Sequence, residues 1–591
     1  MAIAQQEAPG RVIPILESEF SDFETEALEF LRGNRVEENF IGFRLKQGVY
    51  GQRQPARQMI RVKLPFGGVA ADQLDVFAEV AERFVPLRKG HITTRENIQY
   101  HHVPLPLATE ALKLMAEVGL STREACGNTV RNVTGDPWAG ICDDEPFDVT
   151  PYAGAFIRYF VRNPLTQLLP RKFKVAFTSS EADRSITGIH DLGFIPKLRP
   201  LNGKSEKGFQ IVTGGGLSIM AKHAMVLYDF VPMDEYLRVS EAVLRIFERS
   251  DELRRNRSKA RIKFLVHKVG IDKFRSMVDA ELEGEWASKE IPLDDLLFFD
   301  DEQADAPDPD PRPSEPSTED ADAFGKFLET NVTPQVQVGY SAIEVKVFRG
   351  DLSPEQFRGL AQILRDYGAG RARMTPGQNI VLRWIPTRQV YDVWKELRKL
   401  DLAGSGAFEI EDVVTCPGTD SCKLGITSSM GLNTAISEKL AEMKITDPLT
   451  RSILINASGC PNSCGQHHIA EIGFHGAAMK SSGKQIPAYH VLLAGHRRNG
   501  NLRLGTLIRS RLPAKRVPQA LERIIRFYEE HREEGEHFNE FFDRTGKQRF
   551  EQVLKDLTLP PEYSEESEPT FIDWERDQHY VLERGEGECA V

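Results

Sequence analysis

Four cysteines in two tight pairs are the residues of this chain with the clearest chemical potential. Cys416 and Cys422 lie in TCPGTDSC, and Cys460 and Cys464 lie in SGCPNSCG. Each pair can present two thiolates on one loop, and four thiolates are what a cubane iron–sulfur cluster requires. Structural zinc sites usually have C-x2–4-C knuckles, so the C-x5-C spacing of the first pair is atypical of zinc. The spacing therefore favours a [4Fe–4S] cluster over zinc.

The composition describes a large globular protein. The chain has 591 residues, of which 40% are hydrophobic and 27% charged, and this length predicts roughly two to four domains. It contains no run of about 18 apolar residues, and its first residues lack the layout of a secretory signal, so we expect a cytoplasmic protein without a membrane partner. The formal net charge of −12 argues against a nucleic-acid partner.

The chain repeats itself across an acidic, proline-rich stretch that runs from Asp300 to Asp322. Residues 60–69 (IRVKLPFGGV) and 343–352 (IEVKVFRGDL) both read as a strand followed by a glycine turn. In each copy a helical stretch and a second strand follow, and the spacing between matching residues of the two copies stays nearly constant. A duplication of this size implies two halves related by a pseudo-twofold axis.

This organisation predicts a mixed α/β, or α+β, fold with an internally duplicated chain. The expected segments are an N-terminal extension (1–38), the first repeat (39–110), a first α/β domain (111–299), a linker (300–325), the second repeat (326–402), a second α/β domain (403–560) and a C-terminal tail (561–591). The linker and the tail are acidic and irregular, so we expect both at the surface.

The repeat places basic residues of the first half opposite the cysteines of the second half. At nearly the same spacing, Cys416 corresponds approximately to Arg131, and Cys460 corresponds approximately to Lys172. A third basic residue, Arg61, aligns with a glutamate of the second copy, so its charge is not a requirement of the fold. We therefore expect one half to hold a cluster and the other half to hold an anion.

The motifs resemble those of the sirohaem-containing sulfite and nitrite reductases. The resemblance runs from about Asn39 to about Asp556 and includes, in order, IRVKLPFGG, TTRENIQYH, VRN, LPRKFK, GGGLS, NRSKARIKF and the two cysteine motifs. It implies two ferredoxin-like half-domains and two larger α/β domains that bind the cofactors. It also implies a sirohaem and a [4Fe–4S] cluster on Cys416, Cys422, Cys460 and Cys464, with Cys464 as the bridge between the two cofactors.

The resemblance assigns the substrate to four basic residues, namely Arg61, Arg131, Lys172 and Lys174. Their chemistry agrees with this role, because guanidinium and ammonium groups donate charge-assisted hydrogen bonds to an oxyanion and can take part in proton delivery. Lys172 and Lys174 are two residues apart, so on a strand both side chains point to one face and Arg171 faces away.

Sirohaem carries eight carboxylates, so the resemblance implies a pocket that is rich in cationic and amide donors. By position in the motifs, the candidates are Arg95, Gln99, His101, Lys259, Arg261 and Arg497. The GGGLS turn, with Gly214, Gly215, Gly216 and Ser218, is expected to offer backbone N–H groups to a carboxylate.

The expected reaction is the six-electron reduction of sulfite to sulfide, in an assimilatory role. Sulfite reductases of the family tend to read K-F-K where the nitrite reductases tend to read K-W-N, and this chain has Lys172 and Lys174. A second lysine suits a dianion better than a monoanion. The CPNSCGQ and VRN segments look more like the nitrite reductases, so reduction of nitrite to ammonia is the alternative. A cluster-bearing binding or sensing module without enzymatic activity is a more remote alternative.

An electron-entry module is not recognisable in the sequence. No G-x-G-x-x-G lies between a strand and a helix, and no flavin domain is evident. We therefore expect a partner protein to supply electrons, with ferredoxin favoured over a flavoprotein subunit. Residues 497–516 hold seven basic and no acidic residues, which suits docking of an acidic donor, binding of sirohaem, or both.

Tyr50 and Cys126 form one further pair of interest. Some ferredoxin-dependent members of the family carry a covalent Tyr–Cys link beside the sirohaem, and these two residues lie where it would be. The alternative is an unlinked, buried thiol.

Overall fold

The computed structural model of the protein describes residues 11–585 and 587–588. Within these residues the strands form four main sheets, and helices alternate with them along the chain. One large hydrophobic core is shared by the two repeats, and each larger domain has its own. The α+β class and the internal duplication are thus confirmed. None of the helices described has both the length and the apolar composition that a bilayer crossing requires.

The first repeat is preceded by two helices, α1 (Glu17–Leu31) and α2 (Glu37–Lys46). It contains the strands β1 (Val49–Gly51), β2 (Arg57–Arg61), β3 (Gly68–Ala70), β4 (Gly90–Ile92) and β5 (Ile98–Pro104), and the helices α3 (Ala71–Phe84) and α4 (Leu105–Glu117). Phe23 of α1 is buried in the core of the repeats, whereas Val12 and Ile13 are buried in the core of the first larger domain. The N-terminal segment therefore packs on two cores.

The first larger domain is built on a hairpin of two ten-residue strands. Its strands are β6 (Val175–Phe177), β7 (Leu192–Leu201), β8 (Lys204–Thr213) and β9 (Met225–Pro232), and its helices are α5 (Thr150–Phe160), α6 (Tyr236–Glu248), α7 (Asp251–Arg255), α8 (Ile262–Val269), α9 (Ile271–Leu282) and α10 (Leu293–Leu296). Strands β6 and β7 run parallel, and β7, β8 and β9 are antiparallel neighbours.

The second repeat exchanges a short strand with the first. Its helices are α11 (Ala321–Asn331), α12 (Pro354–Tyr367) and α13 (Val390–Lys399), and its strands are β10 (Val332–Pro334), β11 (Tyr340–Val345), β12 (Asp351–Leu352), β13 (Arg371–Met374) and β14 (Ile380–Pro386). Strand β12 pairs with β4 of the first repeat, and β3 of the first repeat pairs with β13. Because each sheet is completed by the other half, the two repeats form one interlocked unit around their shared core.

The second larger domain repeats the plan of the first. Its strands are β15 (Val414–Thr415), β16 (Ile455–Ser458), β17 (Ile472–Ser481), β18 (Lys484–Leu493) and β19 (Thr506–Pro513), and its helices are α14 (Ser429–Met443), α15 (Pro448–Arg451), α16 (Val517–His531), α17 (Phe538–Thr545) and α18 (Lys547–Val553). The pair β16–β17 is parallel, and β17–β18 is a long antiparallel hairpin.

The hairpins of the two larger domains share one register. Leu192 pairs with Thr213 in the first, and Ile472 pairs with Leu493 in the second, so Leu192 corresponds to Ile472. Counted back from this hairpin register, Cys416 corresponds to Asp136 and Cys460 corresponds to Ser180. The expected pairing of these cysteines with Arg131 and Lys172 is therefore wrong by several residues. The segments that connect each repeat to its larger domain differ in length between the two halves. The spacing between matching residues of the repeats therefore does not apply to the larger domains.

The acidic linker is less exposed than expected. The carboxylate of Glu302 is buried and accepts from Arg383 at 2.7 Å, Arg373 at 3.1 Å and the Trp384 indole at 2.9 Å. These arginines lie on β13 and β14, so a part of the linker is bound to the second repeat.

The C-terminal tail reaches back to the first half of the chain. The carboxylate of Glu588 is buried and accepts from both Nη atoms of Arg44 at 2.7 and 2.8 Å. It also accepts from Lys423, next to Cys422, at 2.9 Å. The end of the tail is thus packed rather than only surface-wrapping, because its carboxylate pairs with two cations.

Candidate active site

The four cysteines lie on two loops at one edge of a sheet. Strands β15 and β16 run parallel, with Val414 opposite Asn456, so the chain leaves both strands at the same edge. The cysteines of the first pair follow β15 and those of the second pair follow β16. The topology therefore brings together two pairs that are far apart in sequence.

Backbone contacts hold the two cysteine loops against each other. The N–H of Gly459 donates to Sγ of Cys416 at 3.3 Å, and the N–H of Ile426 donates to the carbonyl of Gly459 at 2.7 Å. A Cβ on Gly459 would lie 2.6 Å from Cα of Gly418. Glycine is needed here because the loops approach too closely to leave room for a side chain.

The four thiols influence one another electrostatically. Burial, and then the charge of Cys464, raise the pKa of Cys416 to about 11. The same two causes raise the pKa of Cys422 and of Cys460, so Cys464 is the common neighbour of the other three sulfurs. A bound metal reverses this effect, because it stabilises the thiolate form. Cys464 is exposed whereas Cys416 and Cys460 are buried.

A group of cations from the first half meets the exposed cysteine. Burial, and then the positive charges of Arg95, Arg261 and Lys172, lower the pKa of Lys174 well below its ordinary value, and the charge of Cys464 acts in the opposite direction. The predicted substrate side and the predicted bridging cysteine therefore lie in one place. Such a surplus of half-buried positive charge favours the binding of an anion.

Two contacts tie the first half to the loop between Cys460 and Cys464. The hydroxyl of Thr94 donates to the carbonyl of Cys464 at 2.8 Å. The hydroxyl of Ser218 donates to Oδ1 of Asn462 at 3.2 Å. The site is therefore assembled at the interface of the two halves, and Thr94 is a contact residue that the sequence motifs did not single out.

Two further residues missed by sequence reasoning hold the cations in place. Asp191 is buried, and its carboxylate accepts a bidentate pair from Arg261 at 2.8 and 2.7 Å. The same carboxylate accepts the backbone N–H of Lys174 at 2.7 Å. The guanidinium of Arg95 lies 2.7 Å from Nε2 of His190. Asp191 thus orients one predicted cation and the backbone of a second.

Arg61 and Arg131 lie side by side, because each donates to the carbonyl of Ala125 at 3.1 Å. When the Gln99 amide is oriented with its oxygen towards Arg61, that oxygen accepts from Arg61 at 2.7 and 2.9 Å and the nitrogen donates to Nε2 of His101 at 3.2 Å. Burial lowers the pKa of His101 well below its ordinary value, so the ring is neutral at pH 7. These four predicted residues form one row.

Arg95 joins that row to the cations around Lys174. Burial lowers the pKa of Arg95 to about 9; Asp191 opposes this shift, and the charges of Arg131 and Arg261 reinforce it. The structure therefore brings together the four predicted substrate residues and four predicted sirohaem residues, which are Arg61, Arg131, Lys172, Lys174, Arg95, Gln99, His101 and Arg261.

The glycine turn differs from its expected role. Its three N–H groups donate to backbone carbonyls, with Gly214 bonded to Asp191 at 3.2 Å, Gly215 to His190 at 2.9 Å and Gly216 to Lys222 at 2.9 Å. They are therefore used inside the protein and do not face a ligand. A Cβ on Gly215 would lie 2.5 Å from the carbonyl oxygen of Gly188, so close approach of the backbone explains this glycine.

Lys259 is exposed on a short 3-10 turn, whereas Arg261, two residues later, is half-buried. A neighbouring lysine, Lys263, is buried instead, and its Nζ donates to the carbonyls of Gly216, Leu217, Ile219 and Met220 at 2.9 to 3.3 Å. Burial lowers the pKa of Lys263 to about 8. Lys263 therefore fixes the turn that carries Ser218. Sequence reasoning did not single out Lys263.

Arg497 lies in the second half among carboxylates. Its Nη1 donates to Oε1 of Gln466 at 3.1 Å. Burial lowers the pKa of Arg497 to about 10, and the charges of Glu471, Asp412 and Glu344 oppose this shift. Arg497 therefore contacts the chain just after Cys464, in surroundings that differ from those of the first-half cations.

Tyr50 packs against a small apolar group that includes Cys126. Sγ of Cys126 lies 3.3 Å from Nη1 of Arg61, and the Tyr50 hydroxyl accepts the N–H of Glu588 at 2.8 Å. Both residues thus lie beside the Arg61 row, a position that suits either the covalent link or an unlinked, buried thiol.

Two family models each match the chain twice. The nitrite and sulphite reductase 4Fe-4S domain matches residues 126–285 and 408–560. The nitrite/sulfite reductase ferredoxin-like half domain matches residues 50–118 and 333–400. The chain belongs to the nitrite and sulphite reductase family. It is therefore an oxidoreductase whose cofactors are sirohaem and a [4Fe–4S] cluster.

Members of this family with both activities are similar to the chain. The sulfite reductase [ferredoxin] of Mycobacterium tuberculosis is 29% identical over 492 residues, which are 82% of each protein. The ferredoxin–nitrite reductase of Synechococcus elongatus is 29% identical over 453 residues, which are 75% of this chain and 80% of that protein. The solved structure of Mycobacterium tuberculosis NirA has a TM-score of 0.72 at 24% identity and covers 90% of this chain and 97% of its own, which supports the fold.

The residues of the site fit both cofactors of the family. The four cysteines lie on two loops that contact each other, and Cys464 is the electrostatic neighbour of the other three thiols, which is the donor set that a [4Fe–4S] cluster requires. The half-buried cations of the first half around Lys174 form a surplus of positive charge, which suits a macrocycle with many carboxylates.

Proposed function

We propose that the chain reduces sulfite to sulfide with six electrons, in an assimilatory role. The observation that carries the proposal is the position of Lys174, among three further cations and beside Cys464. In this proposal Cys416, Cys422, Cys460 and Cys464 would hold the cluster, and Cys464, which lies near the cations around Lys174, would be the ligand shared with the sirohaem. When bound, the sirohaem supplies the iron at which the anion is reduced and the cluster supplies its electrons.

The basic residues bind the oxyanion and manage its protons. Arg61 and Arg131 present adjacent guanidinium groups, whose geometry suits donation to oxyanion oxygens. Each oxygen of sulfite leaves as water, so every two-electron step consumes two protons. A lysine whose pKa is lowered releases its proton more readily, which suits Lys174 for proton delivery.

The charge of the pocket favours sulfite over nitrite. Coulomb's law gives a dianion about twice the attraction of a monoanion to each added cation. Lys172 and Lys174 are both half-buried, whereas Phe173 between them is buried in the core. Because Phe173 faces the core, the alternation of an extended chain would turn both neighbouring lysines away from it.

Nitrite reduction to ammonia is the second candidate. It is favoured by the CPNSCGQ sequence around Cys464, which looks more like the nitrite reductases of the family. A nitrite reductase would use the same cofactors, but the nitrite reductases of the family tend to carry asparagine at the position of Lys174, so the substrate preference has to come from the pocket charge.

A ferredoxin is the proposed electron donor, because similar proteins of both activities are named as ferredoxin enzymes. In the basic stretch 497–516, Arg497 is buried and Arg503 pairs with Asp543 at 2.6 and 2.7 Å. Arg509 and Arg511 are exposed on β19. These two arginines are therefore the part of the stretch that suits an acidic donor.

Steady-state turnover with reduced methyl viologen tests the substrate. We expect a higher kcat/KM for sulfite than for nitrite, and a much higher value for nitrite would overturn the proposal. We also expect Lys174→Asn to lower kcat/KM for sulfite about tenfold more than for nitrite, since the lost cation acts on two charges instead of one. Equal losses for the two anions would remove the argument from charge. Lys259→Asn is the matched control, because Lys259 is exposed, and it should change neither value.

A further inference from the structure

The first half contains a second pair of loops with the backbone turns of the cysteine loops. In the register of the two hairpins, the 3-10 turn Thr187–Ile189 corresponds to His467–Ile469. Left-handed residues also coincide, since Asp183 and Ile186 have φ of 47° and 56° and Ser463 and Gln466 have φ of 58° and 59°. The positions of Cys416, Cys422, Cys460 and Cys464 are filled in the first half by Asp136, Cys142, Ser180 and Arg184.

One contact inside the two loop pairs is the same. In the second half the N–H of Gly459 donates to Sγ of Cys416 at 3.3 Å. In the first half the N–H of Ser179 donates to Oδ2 of Asp136 at 3.4 Å. A carboxylate oxygen therefore accepts the hydrogen bond that a sulfur accepts in the other copy, which supports the correspondence independently of sequence spacing.

The guanidinium of Arg184 contacts each of the other three counterparts. Its Nη1 lies 3.4 Å from Oδ2 of Asp136, 3.2 Å from Oγ of Ser180 and 3.9 Å from Sγ of Cys142. Its Nη2 donates to both carboxylate oxygens of Asp144 at 3.0 and 2.9 Å. One cation thus connects the loop after Asp136 with the loop after Ser180.

We propose that Arg184 takes the place of a cluster in a degenerate copy of the cysteine loops and acts as a positioning residue for the cations of the active site. In the second half four ligands converge on an inorganic body. In the first half the guanidinium of Arg184 is the central charged group. The side chains of Asp136, Cys142 and Ser180 surround it at the positions of the other three cysteines. The loop pair is therefore closed by ion pairing instead of by metal ligation.

The positions of these loops explain why Arg184 matters for the reaction. The first loop continues the segment of Arg131, and Thr134 forms a bridge with Ala176 just before it. Strand β6 begins directly after Lys174, and the second loop follows this strand and leads to Asp191. The carboxylate of Asp191 accepts the backbone N–H of Lys174 and the guanidinium of Arg261. By closing the loops, Arg184 fixes the distance between the segments that carry these cations. This effect on substrate rests on the proposed function, whereas the loop geometry does not.

Replacement of Arg184 in the cofactor-loaded enzyme tests the positioning role. We expect Arg184→Gln to raise KM for sulfite about tenfold and to change kcat less than about twofold, the size expected for coupling through packed loops. Iron, labile sulfide and sirohaem absorbance should equal those of the parent. Arg184→Lys keeps the charge and should restore most of the affinity. An unchanged KM in Arg184→Gln, with only a lower melting temperature, would contradict the positioning role. A rise in KM for nitrite alone would contradict the proposed substrate and leave the positioning role standing.

Rebuilding the cysteines tests the degenerate copy by a readout other than activity. The triple variant Asp136→Cys, Ser180→Cys, Arg184→Cys combines with the native Cys142 to give four thiols. After reconstitution we expect about four additional irons and four labile sulfides per chain, and a clearly smaller gain when Cys142→Ser is added. A triple variant with parental sirohaem absorbance and circular dichroism but without extra iron would overturn the proposal. If the triple variant does not fold, the comparison of Arg184→Gln with Arg184→Lys decides the matter.

Discussion

The two larger domains share a hairpin register and loop turns but differ in the side chains that fill them. In the second domain the loops carry four cysteines, and in the first domain the corresponding positions carry an ion-pair network around Arg184. The same contrast holds in the repeats, where Arg61 of β2 corresponds to Glu344 of β11. The backbone plan is therefore indifferent to charge, and the division of labour between an electron side and an anion side lies in a few side chains.

The surroundings of Glu344 in the second repeat can be compared with those of its counterpart Arg61 in the first repeat. Glu344 and Asp412 are buried neighbours, and both accept from the amide of Asn379 at 3.0 and 2.8 Å. Burial, and then the charge of Asp412, raise the pKa of Glu344 to about 8. This pocket presents carboxyl groups where the first half presents guanidinium groups, so it lacks the positive charge that binding of an anion requires.

The largest expected effect comes from equivalent cysteines of the two halves. Cys422→Ser should lose the cluster and lower turnover by more than about 100-fold, beyond the usual loss from changing a supporting residue. Cys142→Ser at the corresponding position should keep both cofactors and change turnover less than about twofold, because a serine can replace its contacts with Ser179 and Glu145. Iron content, visible absorbance and viologen-coupled turnover measure both variants. Loss of the cluster in Cys142→Ser would contradict the distinction between the halves.

The next largest effect is expected where Arg61 of the first repeat and its counterpart Glu344 of the second repeat are each replaced by glutamine. Arg61→Gln should raise KM for the anion about tenfold to 100-fold, the range for a lost charge-assisted hydrogen bond. Glu344→Gln should leave KM and kcat within about twofold, because a carboxyl with a pKa of about 8 is mostly protonated at pH 7 and the amide has the same shape. Steady-state kinetics at pH 7 measures the pair. Equal effects of the two substitutions would mean that both pockets bind the substrate.

Sequence patterns revealed the cysteines, the repeat and the basic row because each is a local motif with a chemical requirement. The strand exchange was missed, since β12 has two residues and β3 has three, too few for a periodic signal. Asp191 was missed because a single carboxylate in a turn belongs to no recognisable sequence pattern. Its role is visible only in the folded protein, where the buried carboxylate accepts from Arg261. The true counterparts of the cysteines were hidden by unequal connections, which only the strand register resolves.

The smallest expected effect on catalysis concerns the linker that joins the halves, where Glu302→Gln should leave KM unchanged and lower stability by about 3 kcal/mol. Burial alone would raise the pKa of Glu302, but the charges of Arg383 and Arg373 outweigh it and lower the pKa to about 2. Removing this carboxylate leaves two buried arginines without their counter-charge, a change of about 3 to 5 kcal/mol in similar cases. Thermal and denaturant unfolding of the holoenzyme measure the loss.

The pH dependence separates this ion pair from a general packing effect. The folded pKa of about 2 is lower than the ordinary value of 4.5, so the stabilisation is complete above pH 4.5 and is lost as the pH falls towards 2. Glu302→Gln should therefore unfold at a higher pH than the parent during acid titration, and the two proteins should converge at the acid end. Glu315→Gln, at an exposed position of the same linker, should behave like the parent. A stability difference that persists unchanged down to pH 2 would show that the amide disturbs packing, and that the charge of Glu302 does not hold the linker to the second repeat.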